Sequence, residues 1–380
     1  MSINVAIIIP AYREALYIEK TLRALEKSYQ FAQMSCPKPH VIVVVNNPQN
    51  ISQAFVKENQ LLVRYLEGSQ PLYSFPLTIL DYTDPGIAFG VGQARRIGMD
   101  YAVAKFLHDP NDRLVCLDAD TLVNEHYIAD LFDKETDSYG FVIDFEHELQ
   151  DEAMVWYELF LRYVPYGLAK ASSPFDFIAI GSAIGCTVEG YRKIGGMPSK
   201  SATEDFHFLN KLRKLGKIEK LRHAKVFPST RKESKTSLGT GAFLFAAGIS
   251  LEKAVQKLVI PTPDDFQKLK QVLYHIRDFY NVDSMLDLFA ETDDLESYGF
   301  LKEQGVVDKL YLIKQNCKSL EVYFRRILEV MDGLETIRLL RTFKNKRPPL
   351  SLLDFQAYAQ QLLGSEASSP IELVMKYRNI

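Results

Sequence analysis

Apolar residues follow two alternating rhythms through the first part of this chain. Val5 to Ile9 is an uninterrupted apolar run ending at Pro10, and Ile18, Leu22, Leu25 and Tyr29 then recur at helical spacing, which predicts a strand, a loop and a helix. Val41 to Val45 is a β-branched run leading into Asn46-Asn47-Pro48. Leu77 to Leu80 precedes Asp81 and Asp84, and Leu114 to Leu117 is apolar on both faces. Each reads as a strand that delivers polar groups to one edge of a covered sheet. Between them, a loop from Gly86 to Gly92 leads into a helix marked by Ala94, Ile97, Tyr101 and Ala104, and His126 to Phe132 suggests another. Phe175 to Ile180 reads as a further strand, followed by a small-residue loop from Gly181 to Gly185. Leu209, Leu212 and Leu215 then mark a helix ending at Gly216. Such alternation predicts right-handed βαβ units and an α/β fold with a mostly parallel, Rossmann-like sheet flanked by helices.

From about Leu251 onward the texture is helical only. Thr262-Pro-Asp-Asp265 supplies a cap, a first-turn proline and first-turn acids, and Phe266, Leu269, Leu273 and Ile276 follow on one face. Further helices are expected near Val306 to Ile313, Leu320 to Met331, Leu334 to Phe343 and Leu352 to Leu363, with no internal repeat. A length of 380 residues suits two domains, expected at 1–245 and 246–380, the second all-α. The basic residues Arg338, Arg341, Lys344, Lys346 and Arg347 read as a solvated helix end rather than a membrane-facing patch.

Composition narrows the classes. A net charge of −3 offers no footprint for nucleic acid. The four cysteines, Cys36, Cys116, Cys186 and Cys317, show no paired spacing, which argues against zinc and for a reducing compartment. The start of the sequence lacks the pattern of a signal peptide, and the longest apolar stretches are too short to span a bilayer. A cytoplasmic protein is expected.

The sharpest chemical signal is Arg113-Leu-Val-Cys-Leu-Asp-Ala-Asp-Thr121, where an apolar run meets Asp118 and Asp120, the one Asp-x-Asp of the chain. Residues two apart on a strand share a face, so the two carboxylates can converge on Mg²⁺ or Mn²⁺, which prefer oxygen ligands and bridge to substrate phosphates. Alternatively, Asp118 ends the strand and Asp120 caps the following helix. Thr203 before Glu204 and Asp205 likewise reads as an N-cap with acids in the first turn, or as a carboxylate pair placed for chemistry. The segment Pro228 to Gly241 mixes cations, hydroxyls and glycines, so Arg231 can fork to two phosphate oxygens and Lys235 can act as a point charge. Gly239 and Gly241 suit a lid, and a solvated basic loop is the plain alternative.

Ile-Pro-Ala-Tyr-Arg-Glu14, Val-Val-Val-Asn-Asn47, Gly-Gln-Ala-Arg-Arg-Ile-Gly98 and Leu-Asp-Ala-Asp120 follow one another as in family-2-type glycosyltransferases of the GT-A (nucleotide-diphospho-sugar transferase) fold. Tyr191-Arg-Lys-Ile-Gly-Gly-Met197 and Ala-Thr-Glu-Asp205 are similar to that family's acceptor region. The resemblance covers roughly residues 3 to 241. It implies a metal-dependent transfer of a sugar from a nucleoside-diphosphate donor to a hydroxyl. Pro10, Tyr12, Glu14, Asn46 and Arg95 would then belong to the donor-nucleotide site, with Asp118, Arg231 and Lys235. Asp118, Asp120 and His223 would be metal ligands, Gly181, Ser182 and Glu204 would line the sugar and acceptor region, and Asp205, beside Glu204, would be the general base if the reaction inverts configuration, or would orient the acceptor if it retains it. Asn46 stands where many members carry Asp, which leaves the base open. The processive Gln-x-x-Arg-Trp motif is absent, so single addition is expected. The acceptor can be a saccharide, a lipid-linked group or a small molecule, and the helical region can recognise it, cover the site or form a homo-oligomer. A catalytically silent sugar-nucleotide binder and a sugar nucleotidyltransferase are the alternatives.

Overall fold

The computed structural model describes residues 3–32, 36–49, 51–87, 90–133, 138–199, 203–232 and 239–380, and the main chain alone at 84–87. The chain divides into two compact units, Met1–Glu148 with Ala179–Ala242, and Leu149–Ile178 with Phe243–Ile380. The division does not fall at one point of the sequence, because Leu149–Ile178 leaves the first stretch to join the second unit.

The first unit carries eight described strands: β1 (Val5–Ala11), β2 (His40–Pro48), β3 (Leu77–Ile87), β4 (Arg113–Cys116), β5 (Leu122–Val123), β6 (Gly140–Phe145), β7 (Ile184–Thr187) and β8 (Ile218–Phe227). Their order is β3-β2-β1-β4-β7-β6-β8-β5. β3, β2, β1 and β4 are parallel, β7 runs antiparallel to both β4 and β6, β6 and β8 are parallel, and β5 is antiparallel to β8. Every residue of β1 and β4 is buried. Full burial of one Val or Ile contributes about 1.5–3 kcal/mol, so these apolar runs anchor the sheet centre.

Gly98 explains why one flanking helix lies so close to this centre. In the helix Val91–Lys105, a Cβ at Gly98 would come within 2.6 Å of Ile8 Cγ2 and 3.1 Å of Val44 Cγ2. Its absence lets the helix backbone pack on β1 and β2. Arg95, one turn earlier, is thereby carried to the strands' carboxyl edge.

Two local expectations change. Phe175 to Ile180 forms no strand; the strand is Ile184–Thr187, which begins inside the stretch read as a small-residue loop and runs on past Gly185. The small residue is what admits it, since a Cβ at Gly185 would press on the Phe141 ring and lie 2.8 Å from the Leu114 carbonyl oxygen. β3 also runs on to Ile87, into the segment read as loop.

The second unit is helical. The cap at Thr262 forms as a full capping box with Asp265, opening the helix Pro263–Asp278, and a second capping box at Ser351 opens Leu352–Leu363. Tyr163, on the long helix Glu152–Lys170, meets Phe266 and Phe355 edge-on at 5.6 and 5.4 Å between ring centres, and its hydroxyl donates to the Pro261 carbonyl at 2.7 Å. Of the basic residues read as a solvated helix end, Arg338 pairs with Glu335, Lys346 with Glu296 and Arg347 with Asp265, Lys344 donates to the Gln256 carbonyl, and Arg341 is exposed. No described helix is long and apolar enough to cross a membrane.

Glu158, fully buried, accepts from Arg162 Nε at 2.8 Å and from Arg378 Nε and Nη2 at 2.7 and 3.0 Å. This ties the helix Pro370–Arg378 to Glu152–Lys170. Arg378→Ala removes two charge-assisted bonds but leaves Arg162 in place, so a loss of about 1–3 kcal/mol is expected in urea unfolding; an unchanged midpoint would show that the pair contributes nothing.

Candidate active site

The loop after β1 is held by a polar strut. Arg13 has a positive φ of 58°, and its N–H donates to Asn59 Oδ1 at 3.0 Å. Asn59 Nδ2 donates to Asn47 Oδ1 at 2.5 Å, and Asn47 Nδ2 donates to the Thr83 carbonyl at 2.8 Å. The carboxyl ends of β1, β2 and β3 are thus tied through two buried asparagines, and the Arg13 guanidinium lies 3.9 Å from the Phe55 ring centre. Such a backbone is kept only where its surroundings enforce it. Asn47 and Asn59 were not among the candidates; a buried polar residue in the middle of the helix Gln53–Ser69 is the signal that marks Asn59. Asn46 is buried beside the strut at 3% exposure. Pro10 lies buried in β1, Tyr12 is half-buried, and Glu14 is 8% exposed.

The Asp-Ala-Asp turn is anchored on both sides. Leu117 N–H donates to the Ile8 carbonyl at 3.0 Å, Thr121 N–H to the Asp118 carbonyl at 3.1 Å, and Thr21 Oγ1 to the Ala119 carbonyl at 2.9 Å. Asp120 caps no helix: the N-cap of Tyr127–Leu131 is His126, and the Asp120 carboxylate instead pairs with Arg231. Asp118 Oδ1 accepts from Arg95 Nη2 at 2.6 Å, while Arg95 Nη1 pairs with Glu204. The Arg95 and Glu204 side chains are only 3% and 4% exposed. Gly181 makes room for this arrangement, since a Cβ there would lie 2.7 Å from the guanidinium carbon.

Glu204 and Asp205 open the helix Glu204–Leu215 after Thr203, whose φ of 62° and lack of a side-chain cap bond set aside the N-cap reading. Burial pushes the Asp205 carboxyl up to about 6, with the neighbouring Glu204 adding to the shift and Arg95 and the Phe206 N–H opposing it. The Phe206 N–H donates to Asp205 Oδ1 at 2.7 Å. Asp120 is likewise pushed upward, by burial and then by Asp118, with Arg231 pulling the other way.

Arg231, beyond the end of β8, also reaches Glu14 Oε1 at 3.1 Å. Tyr17 stacks on it, 4.2 Å from ring centre to guanidinium carbon. Sequence positions 14, 118, 120 and 204 therefore bring four carboxylates onto two guanidiniums, with Asp205 following Glu204 at the helix start. Ser182 is buried beside Gly181, and its Oγ has no hydrogen-bond partner among the described residues.

His223 is not brought to this cluster. Its N–H donates to Asp130 Oδ2 at 2.5 Å, and its ring centre lies 5.9 Å from that of His126. The register explains this: Leu122 pairs with Phe227 and Val123 with Val226, so moving back along β8 to residue 223 leads away from Asp120 at about 3.3 Å per residue. Lys235 falls in 233–238, outside the described residues, and so does the middle of the expected lid; Gly239 has a positive φ of 96°, and Gly241 lies in the first turn of the helix Thr240–Ile249. Among the described residues no three His, Cys, Asp or Glu side chains form a metal-binding group.

No protein-family model and no curated protein matches the chain. Among solved structures it is similar to S. aureus TarS, residues 1–349, in complex with UDP-GlcNAc, at 13% identity and a TM-score of 0.43, covering 91% of this chain and 93% of that one. It is also similar to the mannosyltransferase PcManGT from Pyrobaculum calidifontis in complex with GDP-Man and Mn²⁺, at 15% identity and a TM-score of 0.40, covering 87% of each chain.

Proposed function

We propose that this protein is a glycosyltransferase of the GT-A type that moves a sugar from a nucleoside-diphosphate donor to an acceptor hydroxyl, one addition at a time, in the cytoplasm. The observation that carries the reading is the convergence, at the carboxyl ends of β1 and β4, of Glu14, Asp118, Asp120 and Glu204 on Arg95 and Arg231, with Asp205 next to Glu204 at the start of its helix. Ligands of open α/β sheets bind at this edge.

In this reading Tyr12, Glu14 and Asn46 hold base and ribose, with Pro10 shaping the strand end beneath them. Asp118 and Asp120 offer hard carboxylate oxygens two residues apart, the donor type that suits Mg²⁺ or Mn²⁺ shared with substrate phosphates. When bound, such an ion would neutralise charge on the departing diphosphate. Arg231 supplies a guanidinium for phosphate oxygens. Arg95 positions Asp118 and Glu204, and Gly181 and Ser182 border the sugar and acceptor. Asp205 takes the proton from the acceptor hydroxyl as its oxygen bonds to the anomeric carbon, while the old bond's electrons leave with the diphosphate. The absence of a Gln-x-x-Arg-Trp motif supports single addition.

The test is thermal unfolding against UDP, GDP, CDP, ADP and TDP, each with Mn²⁺ and with chelator. One diphosphate is expected to stabilise by about 2.7 kcal/mol at a hundred times its dissociation constant, moving the midpoint by a few degrees, with the shift lost to chelator. If no nucleotide moves the midpoint under either condition, the donor reading fails.

A further inference from the structure

Two arginines neutralise this site, and they are held differently. Arg95 puts one nitrogen on Asp118 and another on Glu204, is almost fully buried, and lies in a seat that only a glycine at 181 leaves open. It is built in. Arg231 brings a single nitrogen, Nη2, against both Glu14 and Asp120, and its side chain keeps 18% exposure. Its Nη1 is enclosed without a hydrogen-bond partner among the described residues. A guanidinium matches carboxylates best through two parallel bonds from its fork. Here two carboxylates from separate loops close on one nitrogen, as they would on one compact cation, and half of the fork goes unused.

We infer that Arg231 competes within the chain for the divalent cation at Asp120, so that cation binding displaces the guanidinium from Asp120 and Glu14 and frees it to meet a phosphate group. The inference deepens the proposed donor site and rests on it for the identity of the anion alone; the exchange needs only the cation. Arg231 then serves the same carboxylates twice. It neutralises Glu14 and Asp120 while no cation is bound, when like charges so close would otherwise repel. Once displaced, it is a positive group within reach of the same place. Because coupling between two ligands is reciprocal, an anion that captures Arg231 also favours the cation. Arg95 takes no part, since its partners include the buried Glu204 and its seat leaves no room to move.

The experiment titrates Mn²⁺ alone, without nucleotide, onto the full chain and reads free Mn²⁺ by its paramagnetic resonance signal. Arg231→Gln is expected to bind Mn²⁺ about tenfold more tightly than the natural chain, equivalent to about 1.4 kcal/mol, and adding Asp120→Asn is expected to abolish the gain. Circular dichroism confirms that each variant is folded. In the natural chain, Mn²⁺ is expected to speed phenylglyoxal modification of Arg231, read by peptide mass, while leaving Arg95 protected. Equal or weaker Mn²⁺ binding by Arg231→Gln, or a modification rate indifferent to Mn²⁺, overturns the exchange. Either result leaves the nucleotide-binding test standing, and a failed nucleotide test leaves the exchange standing.

Discussion

Replacing Arg95 by methionine is expected to cost about 3–5 kcal/mol of stability, the range for removing one partner of a buried ion pair. The guanidinium pairs with Glu204, whose side chain is 4% exposed, and the same group holds Asp118 at 2.6 Å. Removing it leaves an acid in a place where water does not reach. Arg95→Lys should restore only part of the loss, because a single ammonium cannot span two carboxylates as a fork does. Combining Arg95→Met with Glu204→Leu should recover most of it, since paired apolar replacement of a buried ion pair is often neutral. Urea unfolding of the three variants decides the matter. A loss below about 1 kcal/mol for Arg95→Met would mean that the pair is not the structural brace described here.

Asp205→Asn is expected to lower the rate of transfer by about 10²–10⁴-fold, the usual contribution of a positioned general base, while leaving the fold intact. The pH dependence gives the sharper signature. Burial raises the folded carboxyl to about 6, above its ordinary range near 4. The folded chain therefore holds a proton between about pH 4 and pH 6 that the unfolded chain releases. The stabilisation from that proton is complete below about pH 4 and is lost as pH rises through about 6. Activity runs the opposite way: kcat/KM should rise tenfold per pH unit below about 6 and level off above it, because the base works only when deprotonated. Asparagine never ionises, so Asp205→Asn should be more stable than the natural chain by about 1–3 kcal/mol above pH 7 and equal to it near pH 4. A variant that is inactive but no more stable at high pH would show that Asp205 is not held against its own charge.

Glu204 and Asp205 illustrate how far sequence reading reaches. The pair was visible as two acids at a helix start, and that alone is compatible with simple dipole compensation. What separates the readings is the left-handed Thr203, which makes no cap bond, and the burial of Glu204 against Arg95, a residue 109 positions earlier. Asp118 and Asp120 behave in the same way. Their strand and turn follow from Leu114 to Leu117, but the guanidinium that each one meets comes from a different part of the chain.

The elements set by local chemistry are those that the chain announces. Continuous apolar runs make β1, β2 and β4, because a strand covered on both faces needs no polar alternation. The capping box at Thr262 and the periodic face that follows it make Pro263–Asp278. The helix Glu152–Lys170 escaped this kind of reading because residues 153–159 are all buried, which erases the polar stripe that periodicity depends on. β7 escaped it because the glycine that fits beneath Phe141 looks, along the chain, like a loop residue. Sheet order, the strut through Asn47 and Asn59, and the seats of Arg95 and Arg231 depend on parallel register and on close approaches at Gly98 and Gly181. These are contacts between distant segments, and a periodicity measured over ten or fifteen neighbouring residues holds no record of them.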